Sequence, residues 1–136
     1  MALAVAALAA CGPAQSPQVP SPPPDLAQPA EYAFGDAVAA ADSAAIGHVA
    51  DLLQAGGRPE VTRYAAASGT DFAKLEAYYD VRAAAGGWEP LADLGRSLPP
   101  GERAIGYRAG NSAFAVVWLA PRAGSGFVPV NVIRFR

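Results

Sequence analysis

Seven prolines fall between positions 12 and 30, three of them consecutive at Pro22-Pro23-Pro24. Proline locks φ and carries no backbone N–H, so neither a helix interior nor a central strand can run through such a stretch. Gln, Ser and Ala fill most of the gaps and bulky side chains are almost missing, which predicts a disordered or polyproline II tether over residues 11–30. At about 3.1 Å per residue, that tether would reach up to roughly 60 Å. Of the 136 residues, the remainder from 31 to 136 suits one domain of roughly 100 residues, with no room for a second core.

Residues 1–10 are wholly apolar. As a helix they would span about 15 Å, half of the roughly 30 Å hydrocarbon thickness of a bilayer, so they do not make an ordinary transmembrane helix. They match the apolar and small-residue parts of an export signal without its basic start, and the expected reason is a start codon assigned too late. An alanine-rich cytosolic helix is the alternative, and the proline run after it makes its packing implausible.

Cys11 is the only cysteine, so neither an intramolecular disulfide nor a cysteine metal cage is available. The run Leu8-Ala9-Ala10-Cys11 resembles the lipobox of bacterial lipoproteins. That resemblance implies lipid attachment at Cys11, a signal peptide over 1–10, a lipid-anchored tether over 11–30, and a membrane partner reached through the anchor. In Gram-negative lipoproteins an aspartate after the cysteine favours inner-membrane retention. Gly12 stands there, and the resemblance implies outer-membrane sorting on the periplasmic face.

The formal net charge of −2 and the pI near 5.2 exclude a general nucleic-acid binder, which needs a basic surface. Charge is unevenly placed. Arg96, Arg103, Arg108, Arg122, Arg134 and Arg136 face only Glu102 in the last part of the chain, whereas the earlier part is acidic. Much of the 52% hydrophobic content is alanine, which predicts a compact core of modest stability.

Residues 36–55 are predicted helical, with Ile46, Val49, Leu52 and Leu53 on one face and Gly56-Gly57 as the stop. Residues 60–67 suit a strand. A second helix begins after Thr70 or Asp71 as cap, places Phe72, Leu75, Tyr78 and Tyr79 inward, and stops at Gly86-Gly87, with Trp88 folding back to close the core. Residues 103–108 and 112–120 read as two strands joined around Gly110-Asn111, and residues 127–136 as another. The expected fold class is α+β, an antiparallel sheet of about four strands with two helices on one face. Both sides of residues 113–119 are apolar, as are those of the last strand. With both helices on one face, a strongly twisted sheet is expected to bury most of the other internally; the alternative is a cover, namely the tether, a second copy or a partner.

Little in the chain points to catalysis. His48, the only histidine, has Asp51 beside it on the first helix but no nucleophile motif such as Gly-x-Ser-x-Gly. Glu76 and Asp80 lie one turn apart, interspersed with Lys74 and Arg82, as on a solvated helix face. The glycine runs lack phosphate-loop and dinucleotide spacing. The arginines of the last strands are expected to sit at strand ends and complement the acidic helices of the same domain; the alternative is that Arg108, Trp118 and Arg134 mark a partner surface for an anionic envelope component or an acidic protein. The expected function is a non-catalytic binding or accessory module of the cell envelope, without cofactor or metal. The alternative is a small periplasmic enzyme or enzyme inhibitor built from dispersed residues such as His48, Asp51 and the tyrosines.

Overall fold

The computed structural model describes residues 17–28, 36–53, 58–67, 69–92, 94–95, 98–119 and 126–136. Its elements are α1 (Asp36–Leu53), β1 (Glu60–Ala67), α2 (Phe72–Ala85), β2 (Glu89–Pro90), β3 (Arg103–Ala109), β4 (Ser112–Trp118) and β5 (Phe127–Phe135). The strands form one five-stranded antiparallel sheet in the order β1-β5-β4-β3-β2. The α+β class is therefore as expected, with β2 as one strand more than the sequence suggests. β2 is two residues long and contains a proline, so no alternation marks it.

Local chemistry sets the element ends. Asp71 caps α2 by accepting a hydrogen bond from the Ala73 amide at 3.0 Å. At the other end Gly87 adopts φ +82°, and the Gly87 and Trp88 amides donate to the carbonyls of Ala84 and Ala83. These paired bonds form a Schellman motif, and they turn Trp88 back onto the helix it follows. Gly110, at φ +58°, supplies the left-handed residue that lets β3 and β4 join tightly, with Ala109 opposite Ser112.

The helices lie on opposite faces of the sheet, not on one. Leu75, Tyr79 and Ala83 of α2 pack with Tyr107, Phe114, Val116, Trp118 and the valines at 128, 130 and 132. Ala45, Val49 and Leu53 of α1 pack with Ala113, Ala115, Val117, Ile133 and Phe135. Strand β4 is buried along its whole length, and burying a valine- or phenylalanine-sized side chain stabilises the fold by about 1.5–3 kcal/mol. One helix per face covers both apolar sides and removes the need for an external cover. On α1 the inward side includes Ala45, while Leu52 stays 41% exposed.

The proline-rich segment is also partly reassigned. Residues 17–28 are a strap lying against the domain on the α2 face, so this portion is not a free spacer. Leu26 is buried and Val19 packs at the core edge. Ala27 and Ala65 exchange backbone hydrogen bonds of 3.0 and 2.8 Å. Proline is compatible with this position because the strap meets the outer edge of β1 at one bridge and needs no continuous ladder. It thereby shields part of an open sheet edge. Cys11 and the rest of the expected tether lie outside the described residues.

Candidate functional site

A concave site lies where α2 passes over the β2–β3 edge. Glu76, Asp80 and Ala84 recur every four residues and form one wall. Pro90, Ile105 and Tyr107 form the other wall, and Trp88 contributes to the floor. The groove encloses about 310 Å³. The Schellman turn at Gly87 is what brings the indole beneath the last turn of α2, where its ring meets Phe114 edge-on at 4.8 Å between centroids.

Asp80 is held in place by its opposite wall. The Tyr107 hydroxyl donates to Asp80 Oδ1 at 2.7 Å. Burial first, then this hydrogen bond and the negative charges of Asp80 and Glu76, push the Tyr107 phenol far above its ordinary value of 10.0. The phenol thus stays a donor. The interspersed cations do not reach the acids: the Arg82 guanidinium stacks over the Tyr78 ring at 3.7 Å, and Lys74 lies at the strap side of α2. Neither Glu76 nor Asp80 has an ion-pair partner among the described residues. The groove therefore combines an apolar floor with two uncompensated carboxylates at its rim, a setting for a cationic group carried on an apolar body.

The three residues of the alternative partner surface do not converge. Arg108 belongs to the α1 face, where its Nη2 donates to the Leu53 carbonyl at 2.7 Å. Trp118 is buried on the α2 face against Phe72, edge-on at 5.9 Å. Arg134 shares that face but sits near the other end of the sheet, opposite Phe114 and Glu60, while Trp118 pairs with Val130. Alternation along each strand separates them: Arg108 is one residue from the inward Tyr107 and so points to the other side.

His48 and Asp51 lie on α1, across the sheet from Glu76, Asp80 and the described tyrosines at 64, 78, 79 and 107. The Nε2 of His48 is shielded and without a partner among the described residues. The dispersed constellation of histidine, aspartate and tyrosines is not assembled. Among the described residues, no group of three or more His, Cys, Asp and Glu is placed to hold a metal ion, and no helix is long and apolar enough to cross a membrane. The carboxylate pair was visible as helical spacing; its groove was not, because Ile105 and Tyr107 come from a strand far along the chain. No protein-family model matches this chain, and no curated protein or solved structure is significantly similar to it.

Proposed function

We propose that this chain is a cell-envelope lipoprotein, anchored through Cys11, whose α+β domain is a binding module for a basic, partly apolar segment of another envelope protein. The observation that carries the binding assignment is the pair Glu76 and Asp80 over the Trp88 floor, with no ion-pair partner among the described residues and one of them fixed by Tyr107. A lysine or arginine side chain would sit between the carboxylates while its neighbours cover Ile105 and Trp88. The anchor rests on the lipobox-like run that ends at Cys11.

Binding is tested by titrating the protein with the capped tripeptide Leu-Lys-Leu and with Leu-Glu-Leu, following backbone amide shifts. The lysine peptide should perturb residues 76, 80 and 105, and the double variant E76Q/D80N should weaken it by about tenfold or more. Equal shifts from both peptides, or unchanged affinity in the variant, would refute the assignment. For the anchor, intact mass and fractionation are compared between the wild type and Cys11→Ser. A diacylglycerol-sized mass and membrane association, both lost in the variant, are expected. Identical partitioning with no lipid mass would remove that part of the proposal.

A further inference from the structure

The strap and the acidic groove share one residue. The Trp88 indole N–H donates to the Gln18 carbonyl at 3.1 Å, while the same side chain lies in the groove floor. From Trp88 the contacts run on to the carboxylates. Its ring meets Phe114 edge-on at 4.8 Å, Phe114 stacks on Tyr107 at 4.9 Å with 25° between the planes, and the Tyr107 hydroxyl holds Asp80 Oδ1 at 2.7 Å. A second route joins the strap to the same ring. Tyr78 donates to the Ser21 carbonyl, and its ring contacts Tyr79, which meets Phe114 at 6.2 Å between centroids. Both of these strap ties converge on Phe114, which is fully buried. A close-packed interior transmits a displacement from one such ring to the next.

The strap is the part of this network with a second state within reach. Of residues 17–28 only Pro23 and Leu26 are buried, and among the described residues its backbone meets the sheet at one bridge, Ala27 with Ala65. A segment with so few buried apolar groups opens before the domain unfolds. When it lifts, the indole N–H loses its acceptor and turns toward water, because a buried donor left unpaired is costly. That movement shifts the groove floor and, through Phe114, the ring that fixes Asp80. Gln18 is also the strap tie nearest Cys11 in sequence, so a pull from that side loads the Trp88 bond first.

We propose that strap docking and ligand binding in the groove are linked: the docked strap sets the groove for a cationic side chain, and the lifted strap gives a low-affinity form. This rests on the acidic-groove reading and adds its regulation. Linkage is reciprocal, so a ligand in the groove holds the strap down.

The test uses the full-length protein, the capped tripeptide Leu-Lys-Leu and two strap variants that alter no residue lining the groove. Leu26→Ala removes a buried strap side chain and should weaken the peptide about fivefold or more. Tyr78→Phe removes only the hydroxyl that holds Ser21, should act in the same direction by less, and carries the test if the leucine variant does not fold. In the wild type, saturating peptide should slow hydrogen exchange of the Ala27 amide and the Trp88 indole N–H. Val49→Ala opens a cavity on the α1 face instead, and affinity should stay within about twofold, which separates the link from a general loss of stability. Without any ligand, the Asp80 carboxylate carbon resonance reports its bond to Tyr107 and should move in both strap variants. An Asp80 resonance unmoved by either variant overturns the linkage whether or not the peptide binds. Peptide affinity unchanged in both strap variants, or lost equally in Val49→Ala, overturns it too. A wild type that ignores the peptide while Asp80 still answers to the strap refutes the groove's ligand and supports the coupling.

Discussion

The Trp88 indole N–H donates to the Gln18 carbonyl at 3.1 Å, tying the residue that ends α2 to a segment 70 positions earlier. Along the same strap the Tyr78 hydroxyl donates to the Ser21 carbonyl at 3.0 Å. Within the strap, a turn in which the Leu26 amide donates to the Pro23 carbonyl at 3.1 Å aims Leu26 inward. Proline suits this role because its restricted φ leaves less entropy to lose on docking.

A docked strap and a free spacer differ in what Leu26 contributes. Leu26→Ala should lower unfolding free energy by about 2 kcal/mol, the low end for a buried leucine, whereas in a free spacer the change would stay within about 0.5 kcal/mol. Trp88→Phe should keep the ring contact with Phe114, cost about 1 kcal/mol and speed hydrogen exchange near residue 18. Urea denaturation of the two variants decides between the pictures.

Alkaline pH should unfold the domain through its buried phenols. The folded-state pKa values of Tyr79 and Tyr107 lie above the ordinary 10.0, chiefly because burial disfavours the phenolate. Such groups contribute stability that is complete below the unfolded value and lost as pH rises past it. Stability should hold up to about pH 10 and fall above it, and Tyr107→Phe should flatten part of that fall. Denaturant midpoints with phenolate absorbance at 295 nm check this; ionisation of all tyrosines near pH 10 with the fold intact would contradict it.

Two glycines separate backbone geometry from space. A Cβ at Gly87 meets nothing within 4 Å, as at Gly69, but only Gly87 has a positive φ. Gly87→Ala should cost about 1 kcal/mol or more, while Gly69→Ala should be near neutral. Thermal melts of the pair isolate the cost of the left-handed turn.

Arg108 supplies the cation that the last turn of α1 lacks. Its charge meets the carbonyl end of the helix, so Arg108→Ala should destabilise the protein by about 1 kcal/mol, less at high salt. Binding of the lysine tripeptide should be unaffected. A loss of that binding with stability intact would instead make Arg108 part of a partner surface.

Several elements are legible in the sequence because their signals are local. The alternation of Phe114, Val116 and Trp118 against Ala113, Ala115 and Val117 sorts into the two observed core layers. The run Gly86-Gly87-Trp88 announces the end of α2 and the return of the indole. Other readings failed where local pattern is silent. Periodicity shows which side of α1 is apolar, but not which face of the sheet receives it, and Leu52 sits beyond the contact that Ala45 and Leu53 make.

The residues alone determine the α+β class, the meander, the stop of α2 and a single cysteine in a lipobox-like run, because each depends on backbone preference or short-range spacing; the expected stop of α1 at Gly56-Gly57 lies outside the described residues. Tertiary structure decided the rest: one helix per face, the docked strap, the pairing of Tyr107 with Asp80, and the isolation of Arg134 from Arg108 and Trp118. Those outcomes depend on which strands become neighbours and on which side each side chain emerges. The physical cause is the burial of two apolar sheet faces at once, which only the folded chain as a whole can satisfy.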